Sequence, residues 1–147
     1  MIYTCYFDGY SSPKLHRRAG YCYVIASGEN GDIIAETIVA MDPFTTNNVA
    51  EAEGLINLLK HLIDIGICRT TINPRTCNVD HSKALIMGDS LLVVNMFNKK
   101  VRLKNPLLKI YQQKITNLKK VLNRFVEVSW VPRKENQAGL LISKRKI

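Results

Sequence analysis

No aspartate or glutamate follows Glu135 in this 147-residue chain, and residues 99–147 hold 2 acids against 14 lysines and arginines. Residues 1–98 carry 7 basic and 10 acidic side chains, so the two parts have formal charges of +12 and −3 within a total of +9. This concentration disfavours a basic partner. It suits a polyanion bound through phosphate contacts and counterion release, or else a solvated face that aids solubility. Long apolar runs are missing too, since none approaches the roughly 18 residues that span a bilayer. The opening MIYTCYFDG has neither a basic n-region nor a signal-like apolar stretch, so a cytoplasmic chain with no membrane partner is expected. Cysteines number 4 (Cys5, Cys22, Cys68, Cys77), and a chain that is 46% hydrophobic needs no disulfide staples, which points to free thiols. Cys68, Cys77 and His81 match no usual zinc-finger spacing and show no fourth ligand. No repeat, linker or low-complexity segment divides the sequence, so one domain over 1–147 is the expectation.

What is present reads as alternating elements. Residues 2–8, 21–26 and 33–40 are rich in β-branched and aromatic types, with GENGD as a turn between the last two, and predict three consecutive antiparallel strands. In TTNNVAEAEGLINLLKHLIDIG the period changes. Val49, Ala52, Leu55, Ile56, Leu59, Leu62 and Ile63 recur at helical spacing, and Gly66 suits the position after the C-cap. Residues 67–83 are polar, contain Pro74 and read as a surface insertion. A short strand, ALIM, stops at Gly88-Asp89. Helices follow over SLLVVNMFNKK and over PLLKIYQQKITNLKKVLN, where Pro106 fits the first turn and Leu107, Ile110, Tyr111, Ile115, Leu118 and Leu122 share one side. RFVEVSWV alternates as a strand, and a short helix from Glu135 ends the chain. The order βββαβααβα implies an α/β fold with a mixed sheet and flanking helices.

Three acids stand at element ends. Asp8 closes the first strand, Glu51 lies in the first turn of the long helix, and Asp89 closes the fourth strand. Acids so placed can converge at one sheet edge, where hard oxygen ligands hold a divalent cation. Each also has a structural reading. Asp8-Gly9 could be a turn, although about ten residues precede the next strand, too many for a tight hairpin. Asp89 could cap a helix. Asn48 and Glu51 could form a capping box; Glu53 lies about 200° round the helix from Glu51, so one of the two must point elsewhere, and Glu51 is the one expected to serve chemistry.

YFDG, TTNNVAEAEGL, GDSLLVV and WVPRKEN stand in an order and context that resembles the type 1 ribonuclease H family, above all its compact archaeal-type members. The resemblance covers nearly the whole chain apart from 67–83. It implies a ribonuclease H-like fold, with a five-stranded mixed sheet, and hydrolysis of the RNA strand of RNA–DNA hybrids by two Mg²⁺ ions, with Mn²⁺ as a substitute. It further implies that Asp8 bridges both metals, that Glu51 is the helix acid, and that Asp89 stands beside the attacking water. Thr46, Asn47, Asn48 and Ser90 match positions that contact the hybrid backbone and minor groove, where 2′-hydroxyls and groove shape are read. Arg133 matches the loop in which many members carry a mobile His and archaeal-type members an Arg.

The chain departs from the pattern in three places. SSPKLHRRAG replaces a glycine-rich loop, and Leu91 stands where a Gln is common. The family pattern also puts a fourth metal-binding Asp four residues after the counterpart of Asn136, and that position is Leu140. Its isobutyl group offers a cation no oxygen, leaving a water, Asn136 or Glu135 to substitute. The expected function is an endoribonuclease with reduced activity, acting as a monomer. The alternative is a weak or inactive hybrid-binding or duplex-binding module. Retention of three acids favours the enzyme, because carboxylates facing phosphates only repel in a pure binder.

Overall fold

A computed structural model describes residues 2–12, 18–28, 31–67, 82–122 and 125–145, the last four without side chains. Five strands form one sheet in the order β3-β2-β1-β4-β5. They are β1 (Ile2–Ser12), β2 (Arg18–Ser27), β3 (Asp32–Met41), β4 (Lys83–Gly88) and β5 (Val126–Trp130). The first three pair antiparallel, whereas β4 runs parallel to both β1 and β5. The helices are α1 (Asn47–Asp64), α2 (Leu91–Asn98), α3 (Pro106–Leu122) and α4 (Gln137–Arg145). Observed order and sheet type agree with the sequence reading. Cys68, Cys77, His81 and nearly all of the 67–83 insertion lie outside the described residues, although Ile67 and Ser82 at its ends are buried.

Strand alternation divides two cores. Cys5, Phe7, Tyr21, Tyr23 and Ile25 face α1, α2 and α3, and pack with Leu55, Leu59, Leu62, Ile86, Met96 and Ile115 in the main core. Cys22 and Val24 face the other way, where Ala138 and Leu141 of α4 cover them with Tyr6, Tyr10 and Ile38. Asp8 shares the parity of Tyr6 and Tyr10, which carries it toward α4 rather than into the main core.

Helix ends follow local chemistry. Gly66, at φ 93°, follows the α1 C-cap; its N–H reaches Ile63 O and that of Ile67 reaches Leu62 O, both at 3.0 Å, the double closure of a Schellman motif. Pro106 opens α3, while the Asn105 side chain accepts from the N–H groups of Leu107 and Leu108. The α3 stripe needs a correction. Leu108, Ile115 and Leu122 are buried, with Tyr111 and Leu118 packed beside them, and Leu107 and Ile110 are exposed. Alternate spacings of three and four keep the first set on one face, and Leu107 and Ile110 stand one residue off it.

Candidate active site

The strand that delivers Asp8 does not end there. β1 continues to Ser12, so Tyr10, Ser11 and Ser12 extend past the acid, and the Ser11 hydroxyl donates to Thr45 O at 2.7 Å. This ties β1 to the loop before α1. Helix α1 then crosses β1 at Gly9, where an added Cβ would overlap the backbone of Ala50 and Glu51. Only glycine permits so close an approach. The crossing sets Glu51 beside Asp8.

The capping reading of Glu51 does not hold. Thr46 is the N-cap, its hydroxyl accepting from Val49 N at 3.3 Å, so Glu51 lies two residues beyond the position a capping box requires. Glu51 is 8% exposed, and its Oε2 is buried with no hydrogen-bond partner among the described residues. Nor does Asp89 cap a helix. Ser90 caps α2 by accepting from Val93 N at 3.3 Å, leaving the Asp89 side chain to face β1.

Asp8, Glu51 and Asp89 each present a carboxylate oxygen within 4.8 Å of the others. Asp8 is 5% exposed, and its Oδ1 accepts from Gly9 N at 2.9 Å. Burial, then repulsion from Asp89, pushes the Asp8 carboxyl up to about 7, against smaller lowering by the Gly9 N–H and the Arg133 guanidinium. Glu51 is pushed up to about 9 by burial and by repulsion from Asp8 and Asp89, with Arg133 again opposing. A buried acid cluster without enough countercharge is costly, and a divalent cation relieves both causes at once.

A cleft of about 230 Å³ opens on these acids, lined also by Asn47, Arg133, Gly139 and the Tyr10–Ser12 stretch. Arg133 stands in a 3-10 turn, Arg133–Glu135, which Val131 and Pro132 join to the end of β5. Of the sequence candidates, Asn47 and Arg133 therefore share the cleft with the acids. Thr46 and Ser90 cap the two neighbouring helices, and Asn48 is exposed on the first turn of α1. Tyr10, Ser11, Ser12 and Gly139 escape the sequence reading. The shared parity of Tyr6, Asp8 and Tyr10 is the signal for a longer strand.

The fourth position is resolved in detail. Asn136 is fully buried; its Nδ2 donates to Phe7 O at 2.9 Å and its Oδ1 accepts from Ala138 N at 3.1 Å. It fastens α4 to β1. The Cys22 thiol, donating to Ala138 O at 3.0 Å, makes a second fastening to β2. These bonds seat Gly139 against the cluster, where an added Cβ would lie 3.0 Å from Asp8 Oδ2. Leu140 is 53% exposed.

No family model matches the chain. In sequence it is 31% identical over 119 residues, 80% of its length, to the bifunctional protein Rv2228c of Mycobacterium tuberculosis, of which it spans 28%. The N-terminal RNase H domain of that protein superposes with a TM-score of 0.74 at 26% identity, covering 94% of this chain and 92% of the solved one. RNase H1 of Halobacterium salinarum gives 0.72 at 26% identity, covering 94% and 91%. LC11-RNase H1, isolated from compost by a metagenomic approach, gives 0.75 at 29% identity, covering 95% and 91%. Agreement of fold along nearly the full length of three such structures, reached by a chain whose own acids meet at one sheet edge, bears out the resemblance to the type 1 ribonuclease H family.

Proposed function

We propose that this protein is an endoribonuclease that hydrolyses the RNA strand of RNA–DNA hybrids, using divalent cations held by Asp8, Glu51 and Asp89. One observation carries the reading: carboxylates from β1, α1 and the end of β4 meet within 4.8 Å, and a buried Glu51 oxygen has no partner among the described residues. All the donors are hard oxygens, which suits Mg²⁺ and also Mn²⁺. A cation bound there would supply charge stabilisation and a water acidified toward neutral pH.

The chain's own groups divide the remaining work. Asp8 and Glu51 are held rigidly by the crossing of β1 and α1, so the ligand oxygens need little reordering. Arg133 offers a guanidinium to a phosphate at the mouth of the cleft. Thr46, Asn47, Asn48 and Ser90 lie at the N-terminal ends of α1 and α2, where backbone N–H groups and side-chain amides favour phosphate oxygens and 2′-hydroxyls. A second cleft, of about 580 Å³, is lined by Lys99, Arg102 and Lys109 with no acid among its lining residues, and suits the backbone further along the duplex. LC11-RNase H1 has been solved in complex with an RNA/DNA hybrid, and that complex matches this chain with a TM-score of 0.74 at 27% identity.

Leu140 leaves α4 without a carboxylate for a two-cation arrangement, so turnover is expected to be slow and better with Mn²⁺ than with Mg²⁺. A binding module without catalysis fits less well, because two buried acids beside the phosphate path would oppose binding unless a cation joins them. The test is incubation with end-labelled hybrid, duplex RNA and duplex DNA in Mg²⁺, Mn²⁺ or chelator. Cleavage of the RNA strand in the hybrid alone, dependent on cation and lost in Asp8→Asn, is the expected result. Tight hybrid binding with no cleavage in either cation would sink the enzyme reading.

A further inference from the structure

We infer that Trp130 is a positioning residue for the acid cluster: its indole N–H fixes the backbone of Asp89, and thereby the direction from which that carboxylate meets Asp8 and Glu51. The inference rests on the cation-binding reading above and extends it to a residue that does not line the acid cleft.

Asp89 belongs to neither β4 nor α2, so among the described residues no ladder or helical bond holds it directly. Its neighbours are pinned on both sides. Gly88 closes β4, its carbonyl accepting from Val131 N at 2.9 Å, and it lies so near the Phe7 ring that an added Cβ would overlap it. Ser90 is committed to the α2 cap and to the first helical bond, from Val94 N at 3.0 Å. Between them, the Asp89 carbonyl accepts from Trp130 Nε1 at 3.1 Å. Trp130 pairs with Gly88 at the last step of the parallel β4–β5 ladder. The indole therefore supplies one more donor where the backbone ladder stops. A fixed Asp89 carbonyl fixes that residue's ψ, leaving only its two side-chain torsions to search.

Burial does not explain this tryptophan. Its residue surface is 49% exposed, so much of the ring's apolar value is left in water, while its N–H is bonded to the Asp89 carbonyl. Partners that orient a metal ligand are worth tenfold or more in affinity when they bond the ligand atom itself. Here the bond goes to the ligand residue's backbone and is exposed to water, so an effect of about three- to tenfold is expected.

The test uses the full chain and Mn²⁺ as the probe. In Trp130→Phe, which keeps an aromatic ring and removes the donor, calorimetric titration should show Mn²⁺ affinity reduced about three- to tenfold. At saturating Mn²⁺ the variant should lose kcat while KM for hybrid stays at the wild-type value. The chain has 1 Trp, so replacement by benzothienylalanine, which exchanges the indole N–H for sulfur at nearly constant shape, repeats the test should Trp130→Phe fail to fold. In the wild type, Trp130 emission should change with the same midpoint as the calorimetric titration, and the change should vanish in Asp89→Asn. Wild-type Mn²⁺ affinity in the folded variant or analogue overturns the inference, as does a change confined to KM. Wild-type protein that takes up no Mn²⁺ overturns the cation-binding reading itself, which separates the two failures.

Discussion

Replacing Glu51 with Gln should make the metal-free protein more stable, and the effect should depend on pH. Burial and the neighbouring Asp8 and Asp89 raise Glu51 from an ordinary 4.5 to about 9, and Asp8 from 3.8 to about 7. Both groups therefore bind protons more tightly folded than unfolded. Their stabilising contribution is full below about pH 4 and is lost as pH rises toward 7 for Asp8 and 9 for Glu51. At pH 8 without cation, the wild type either holds Glu51 protonated against the solvent or charges it beside two other carboxylates. Gln avoids both costs. At about 1.4 kcal/mol per pKa unit, with most of the rise relieved by side-chain relaxation and water entry, on the order of 2 kcal/mol remains. For a chain of this size that is about 4–8 °C in Tm. Melting curves in chelator from pH 5 to 9 should show the wild type falling behind Glu51→Gln as pH rises. Excess Mn²⁺ should reverse the order, because a ligand at a hundred times its Kd adds about 2.7 kcal/mol to the form that binds it. A Glu51→Gln variant less stable than wild type at every pH in chelator would refute the reasoning and make Glu51 a structural residue.

Leu140→Asp should fold normally, since the position is 53% exposed and a carboxylate there keeps its water. Single-turnover cleavage should rise by about tenfold or more, equivalent to about 1.4 kcal/mol in the barrier; an unchanged rate in a folded variant would mean that the cation site is complete without it. Replacing Lys99, Arg102 and Lys109 together with Ala should flatten the salt dependence of hybrid binding, by about 0.9 in the log–log slope for each phosphate no longer neutralised, measured by fluorescence anisotropy. Asn136→Ala strands the Phe7 carbonyl and the Ala138 N–H in a dry setting, so a loss of about 2–3 kcal/mol is expected in urea melts, with cleavage falling alongside as α4 loosens.

Much of the fold is legible in the sequence because periodicity is a strong signal. The change from alternation in β1–β3 to helical spacing at Val49–Leu62 reports which side of each element meets the core, and the element order implies a mixed sheet, whereas the strand order β3-β2-β1-β4-β5 comes only from the structure. The three acids are legible as candidates, although Asp8 proves to lie inside β1 and Glu51 beyond the first turn of α1, and their proximity is not legible. It depends on Gly9, which lets α1 cross β1 in contact, and no local pattern distinguishes that glycine from one in a turn. The start of α1 is harder still: Asn48 reads as its cap and Thr46 fills that role, because several residues in TTNN can cap and tertiary contacts choose among them. Leu107 and Ile110 look like core in isolation, yet the phase of α3 is set by what faces it. Asn136 is a candidate ligand by composition, and only its bonds to Phe7 and Ala138 show it to be a fastening.

Asp8, Glu51 and Asp89 are proposed to form one cation-dependent centre acting on the RNA strand of a hybrid. The most direct test is a single-turnover assay with 5′-labelled RNA annealed to DNA, comparing wild type with Asp8→Asn, Glu51→Gln and Asp89→Asn in Mn²⁺ and in chelator. The wild type should make internal cuts in the RNA in Mn²⁺ alone, with all three variants inactive yet folded and still able to bind hybrid. Cleavage that persists in chelator, or in any one of the three variants at the wild-type rate, would contradict it.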